Sequence, residues 1–83
     1  MNYLLRFYYR DKEPEANEEN YFELFFNDIK TALSRLYEDT TGFGDIINKI
    51  DLFYIGFGYL EAQMTICLFG NGLIKIEDHR SLL

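Results

Sequence analysis

The first ten residues alternate in the way that an extended strand requires. Between residues 2 and 10, every second side chain is bulky and would point to the same side of the chain: Tyr3, Leu5, Phe7 and Tyr9. A period of two residues predicts a β-strand. The stretch 11–19 is polar, shows no period and contains the single proline, Pro14, so it predicts a connection.

The pattern changes to a helical period after residue 20. Asn20, with Glu23 three residues later, forms a variant of the capping box that occurs at helix N-termini. Apolar residues then recur at spacings of three and four, as on one face of a helix: Phe22, Phe25, Phe26, Ile29, Leu33 and Leu36. We therefore predict a helix from about Tyr21 to Glu38, ended by the threonines and glycines of 40–44.

The second half of the chain is rich in β-branched and aromatic residues. Residues 40–51 fit no single element, although Asp45 could cap a short turn there. The stretch 52–60 alternates and predicts a strand, whose buried face we assign to one set of residues: Phe53, Ile55 and Phe57.

A hairpin signal follows at Gly70-Asn71-Gly72, between the apolar stretches 63–69 and 73–78. Glycine adopts a positive φ without steric cost, which tight hairpins need. A three-residue loop would place the aliphatic side chains of both strands on one face. That face would carry Met64, Ile66, Leu68, Ile74 and Ile76.

Together these elements predict one α+β domain over residues 1–83. The expected order is β-α-β-β-β, a mainly antiparallel sheet with one helix packed on one face. At 83 residues such a domain has marginal stability by itself. Its expected core is Leu5, Phe7, Phe22, Phe25, Phe26, Ile29, Leu33, Leu36, Phe53, Ile55, Phe57, Ile66, Leu68, Ile74 and Ile76.

A single helix leaves the second face of the sheet uncovered. The sequence assigns to that face a set of residues that is unusually aromatic and apolar for a surface facing water: Arg6, Tyr8, Arg10, Tyr54, Gly56, Gly58, Thr65, Cys67, Phe69, Leu73 and Lys75. Exposed apolar patches mark interaction sites. We expect a partner, or a second copy in a homodimer, to contact this face, with Tyr8, Tyr54, Phe69 and Leu73 as anchors.

Charge narrows the choice of partner. The formal net charge is −6, and the stretch from Asp11 to Glu23 holds six acidic residues and one basic residue, net −5. Such a chain is a poor direct ligand for nucleic acid, whose phosphates are bound by Lys and Arg. We expect a basic protein partner, steered by a set of glutamates: Glu13, Glu15, Glu18 and Glu19. The alternative is that these acids only keep the domain soluble.

Catalytic and metal-binding patterns are missing from the sequence. Paired carboxylates, the one histidine (His79) and the one cysteine (Cys67) have no supporting spacing, so we expect neither an enzyme nor a cofactor. An enzyme would have to draw on Asp45, Asp51, Tyr54 and His79. A single cysteine fits a reducing cytoplasm, and no stretch approaches the roughly 20 apolar residues of a membrane span.

Small size, acidity, abundant Tyr and Phe and the lack of a catalytic set resemble the immunity proteins of bacterial toxin systems, including contact-dependent growth inhibition. The resemblance implies a stoichiometric inhibitor that binds a basic nuclease toxin. Phage-encoded inhibitors of host defence nucleases, such as anti-CRISPR proteins and DNA mimics, share this profile. A third alternative is a small regulatory or ligand-binding domain that dimerises through its open sheet face.

Overall fold

The computed structural model describes residues 2–10, 20–40, 42, 46–69 and 71–80. These residues form five strands and one helix. Their bounds are β1 Tyr3–Tyr9, β2 Tyr21–Phe26, α1 Ile29–Thr40, β3 Ile47–Ile55, β4 Leu60–Leu68 and β5 Ile74–Asp78. No helix among the described residues is long and apolar enough to span a membrane.

The five strands form one sheet in the order β2-β1-β3-β4-β5. Every neighbouring pair is antiparallel. The predicted class, α+β with one helix on one face of an antiparallel sheet, is therefore confirmed. The order of elements is β-β-α-β-β-β, with one strand more before the helix than the predicted β-α-β-β-β.

The extra strand is β2, whose residues fall in the first half of the predicted helix. Its six residues fit a strand as well as a helix, because the aromatic residues at 22 and 26 satisfy a spacing of four and an alternation of two. Pairing with β1 decides between them, since the Phe22 ring stacks on Phe7 with centroids 4.6 Å apart. The cap of α1 is Asp28, whose carboxylate accepts the Thr31 N–H at 2.9 Å, and not Asn20.

The main core lies between α1 and one face of the sheet, which we call the helix side. It joins residues from the helix and from β1, β3 and β4: Leu5, Phe7, Ala32, Leu36, Ile47, Ile50, Leu52, Met64, Ile66 and Leu68. Predicted core residues Phe22, Phe26 and Leu33 pack against its edge. Other predicted core residues lie outside this core, in β2, β3, β5 and the turn before β4.

Strand β3 presents the opposite face to the core from the one predicted. Leu52 is buried in the core and Phe53 points to the other face, the reverse of the prediction. The predicted strand 52–60 is in fact the end of β3, a turn at residues 56–59 and the start of β4. Phe57 lies in that turn and is fully exposed, so it is not a core residue.

Three other predicted core residues, one in β2 and two in β5, are about half exposed because the helix does not cover them. Phe25 is 50% exposed because it points away from α1, on the same side as its β1 partner Leu4. Ile74 and Ile76 lie on the helix side but are 49% and 50% exposed. Helix α1 packs mainly on β1, β2 and β3, and β5 lies two strands further along the sheet.

The predicted hairpin between β4 and β5 is confirmed. Leu68 pairs with Ile74 and Ile66 with Ile76, the register that a three-residue loop favours. Gly72 has φ +88°, a conformation that other residues adopt only with strain. In the turn before β4, a Cβ on Gly56 would lie 2.3 Å from Cζ of Tyr59, so the ring of Tyr59 occupies the space that glycine leaves open.

Candidate functional site

The face of the sheet opposite α1, which we call the helix-free face, carries a row of polar side chains. The register of the strands places these residues side by side across all five strands. The row runs Glu23, Arg6, Asp51, Thr65 and Glu77. Side chains on the same face of neighbouring antiparallel strands are close enough to interact directly. The row is therefore a strip of four charged side chains and one hydroxyl across the middle of the sheet.

At one end of the row, Arg6 is held on three sides. Its Nη2 lies 2.8 Å from Oε2 of Glu23, and its Nε donates to the same oxygen at 2.8 Å. Its Cζ lies 4.5 Å from the centroid of the Tyr21 ring and 5.1 Å from that of Phe53. Guanidinium groups bind carboxylates and aromatic faces at once, which Lys cannot do as well. The charge of Arg6 is thus matched within the protein.

At the centre of the row, Asp51, Thr65 and His79 are linked through one hydroxyl. Oγ1 of Thr65 donates to Oδ1 of Asp51 at 2.6 Å and lies 2.9 Å from Nε2 of His79. A hydroxyl has one proton to give, and the carboxylate takes it. His79 must therefore donate from Nε2–H to Thr65. The backbone N–H of His79 also binds the carbonyl of Gln63 at 3.0 Å, which anchors the residue.

Beside this centre, Tyr8 is buried although it lies on the face opposite the one helix that the structure describes. Nζ of Lys49 lies 4.3 Å from the centroid of its ring, and the ring of Tyr21 packs at 5.7 Å. Burial raises the pKa of the Tyr8 phenol above its ordinary value, and the carboxylate of Asp51 adds to the shift. Tyr8 therefore serves as a neutral, packed group in this face.

On the other side of the polar row, the helix-free face is apolar. Leu4 is 3% exposed and has Phe25 and Phe53 as its neighbours on β2 and β3. Ile55 and its β4 partner Leu60 extend the same side, and Leu60 is exposed. We call Leu4, Phe25, Phe53, Ile55 and Leu60 the apolar end. The apolar end is a small second core around Leu4, and its outer residues Phe25 and Leu60 are exposed.

The structure places the predicted anchors in three different positions. Tyr8 lies on the helix-free face, as predicted, but buried. Tyr54 lies on the helix side, where its ring meets Tyr3 at 5.5 Å, because β3 turns over relative to the prediction. Phe69 and Leu73 are exposed at the hairpin between β4 and β5, joined by a Phe69 N–H to Leu73 carbonyl bond of 2.9 Å.

The acidic residues predicted to steer a partner, Glu13, Glu15, Glu18 and Glu19, lie outside the described residues. The one acid of the Asp11 to Glu23 stretch that the structure describes is Glu23 itself, which is paired with Arg6.

The residues that an enzyme would need are not gathered at one site. Asp51 and His79 meet at Thr65, but Tyr54 is on the opposite face, and Asp45 lies outside the described residues. Within the described part of the chain, no group of three or more His, Cys, Asp and Glu side chains is arranged to hold a metal ion. Cys67 has Lys49 and Lys75 as its partners on the adjacent strands.

Sequence reasoning missed the Asp51, Thr65 and His79 linkage and the apolar end. The signal for both was the turn at Gly56-Phe57-Gly58, since a hairpin there brings Asp51 opposite Thr65. Comparison of the chain with protein-family models, with curated proteins and with solved structures finds no match.

Proposed function

We propose that this protein binds a basic protein partner through the helix-free face and blocks the partner's activity. The observation that carries the proposal is the apolar end, where Phe25 is 50% exposed directly beside charged groups that already have partners. Large aromatic side chains that are open to solvent next to a polar rim are the usual composition of a protein contact surface.

Because the charged groups of the polar row are already paired, a partner protein can cover this face at a low desolvation cost. Burying a charge is costly when it loses its water without gaining a partner. Arg6 and Asp51 keep their protein partners, Glu23 and Thr65, whatever covers them. A partner protein can therefore approach closely over the polar row and gain from burying Phe25 and Leu60.

The distribution of charge supports a basic partner. The described residues hold eight acids and seven bases, net −1, whereas the whole chain is −6. The excess of negative charge thus comes from the remaining positions, mostly in 11–19. A localised block of like charge speeds encounter with an oppositely charged protein, whereas a packed apolar contact slows dissociation.

Immunity proteins of bacterial toxin systems, which this chain resembles in size and charge, act in this way on basic nuclease toxins. A nuclease toxin encoded beside this protein is the partner we propose. A phage-encoded inhibitor would act by the same contacts on a host defence nuclease, and the identity of the inhibited enzyme distinguishes the two.

The experiment is an inhibition titration of the nuclease encoded next to this gene. We expect loss of nuclease activity at a ratio of one to one. Phe25→Ala should speed dissociation of the complex by about tenfold or more, as for an interface hot spot. The matched control is Tyr37→Ala, since Tyr37 is also 50% exposed but lies on α1. An unchanged dissociation rate for Phe25→Ala would exclude the apolar end as the contact.

The acidic residues are tested separately by their effect on association. Changing Glu13, Glu15, Glu18 and Glu19 to Gln should lower the association rate and flatten its dependence on salt, with little effect on dissociation. An association rate that stays the same at low salt would show that these acids serve solubility only.

A further inference from the structure

We propose that the edge of β5 on which no other described strand lies pairs with the same edge of a second copy, so that two sheets join into one of ten strands, five from each copy. This contact uses the backbone edge of β5 and not the apolar end proposed above for the partner, and it does not depend on that proposal. The side chains of Lys75 and Glu77 lie at the margin of the helix-free face.

The backbone of β5 offers every second residue for pairing. Leu73 accepts a hydrogen bond from Phe69, and His79 donates one to Gln63, so both direct their backbone groups toward β4. In an antiparallel ladder this direction alternates along the strand. Residues 75 and 77 therefore face β4 as well, while Ile74, Ile76 and Asp78 direct their N–H and C=O groups to the open edge. A second β5 strand can use all three.

Two of the three helix-side residues of β5 are apolar, and the third is Asp78. Ile74 and Ile76 lie on the helix side and are 49% and 50% exposed. In a two-fold antiparallel pair centred on Ile76, the side chain of Ile76 lies beside its own copy. The isoleucines of the two copies then lie together on the same side of the joined sheet. Asp78, which is paired with Arg80 at 2.7 Å, stands across from Ile74 at each end of this cluster.

Charge complementarity selects a second copy as the occupant. With Ile76 at the centre, residue 75 of one strand stands opposite residue 77 of the other, which places Lys75 across from Glu77 twice. Both side chains are exposed, at 64% and 43%, and they already attract each other within one chain at 3.1 Å. Opposite charges directly across a sheet stabilise the pairing, and like charges oppose it.

The other edge of the sheet lacks this complementarity. Tyr9 donates to the carbonyl of Asn20, so by the same alternation the odd-numbered residues of β2 face outward. The symmetric pairing of that edge with the most overlap is centred on Glu23 and would set two glutamates against each other. Each of them is also committed to Arg6. Self-pairing through β2 is therefore disfavoured.

The test is sedimentation of the purified protein from low to high micromolar concentration. We expect a dimer that dissociates on dilution. Glu77→Lys places like charges across the interface and should weaken the dimer by about tenfold or more. The double change Lys75→Glu with Glu77→Lys restores opposite charges and should restore dimerisation. Glu61→Lys, an exposed acid on β4, is the matched control and should leave the dimer unchanged.

Amide hydrogen exchange of the unmutated protein identifies the dimer interface without relying on variants that could misfold. In the dimer, the amides of Ile74, Ile76 and Asp78 should exchange more slowly at high protein concentration than at low concentration. A protein that stays monomeric at high concentration would overturn the proposal. So would a dimer in which these three amides exchange at a rate independent of concentration, since its interface would lie elsewhere.

Discussion

Arg6 and Glu23 face each other across β1 and β2, with Nη2 and Oε2 2.8 Å apart. The two side chains are only 20% and 27% exposed, so most of the pair is shielded from water. This contact ties β2, the strand that the sequence predicts as helix, to the centre of the sheet. It also gives the partly buried guanidinium of Arg6 a carboxylate acceptor.

Removal of the Glu23 carboxylate should destabilise the fold. We expect Glu23→Ala to lower the free energy of unfolding by about 1–3 kcal/mol, because Arg6 is left partly buried without its acceptor. Urea denaturation followed by circular dichroism measures the loss. Glu61→Ala, which removes an exposed glutamate from β4, is the control. Equal stability of the two variants would mean that the Arg6 pair contributes nothing.

Truncation of two phenylalanines should have very different effects on stability. Phe7 is fully buried and stacked on Phe22, so Phe7→Ala should cost about 3–5 kcal/mol, comparable to the whole stability of a small domain. Phe57 is fully exposed, so Phe57→Ala should leave the melting temperature unchanged. Thermal unfolding of both variants checks the assignment, and a large loss for Phe57→Ala would contradict the turn at 56–59.

The hydroxyl of Thr65 should contribute more to the stability of the fold than the shape of its side chain does. Thr65→Val keeps the shape but removes the donor to Asp51, and we expect a loss of about 1.5–3 kcal/mol, the range for hydrogen bonds to charged groups. Thr65→Ser keeps the hydroxyl and should recover most of that stability. The two variants are compared by chemical denaturation at neutral pH. If valine were tolerated as well as serine, the Asp51 carboxylate would have to find its partner elsewhere.

The stabilisation that the Asp28 cap gives to α1 should depend on pH. The Thr31 N–H, together with the Thr31 hydroxyl, holds the pKa of Asp28 below its ordinary value of 3.8. A lowered folded-state pKa stabilises the fold above the unfolded-state value, and the stabilisation is lost as the pH falls through the folded-state pKa. Asp28→Ala should therefore lower the melting temperature at pH 7 and have less effect in acid.

The matched control for the cap is Asp28→Asn. Asparagine also accepts the N-terminal N–H groups but does not titrate in this range. We expect it to retain much of the stability at pH 7 and to lose the acid dependence that Asp28 contributes. An Asp28→Ala deficit that is the same at pH 3 and pH 7 would show that the charge of the cap is unimportant.

Local patterns determined a large part of this fold. The alternation of 2–10 gave strand β1 because one of its faces packs under the helix, where polar side chains would be excluded. Gly70-Asn71-Gly72 predicted the last hairpin and its register, since few residues other than glycine adopt the φ of +88° found at Gly72. Leu33 and Leu36 lie on the inner side of α1, as their spacing predicts.

Tertiary contacts decided what local patterns left ambiguous. Tyr21–Phe26 can pack apolar side chains as a helix or as a strand, and only the neighbouring β1 selects the strand. The face of β3 follows from its pairing with β1, which puts Leu52 beside Leu5 and turns Phe53 outward. The candidate site depends on such pairings most of all. Asp51, Thr65 and His79 come from separate segments, and strand register alone brings them within hydrogen-bonding distance, because a shift of one residue would turn each strand's side chains to the opposite face.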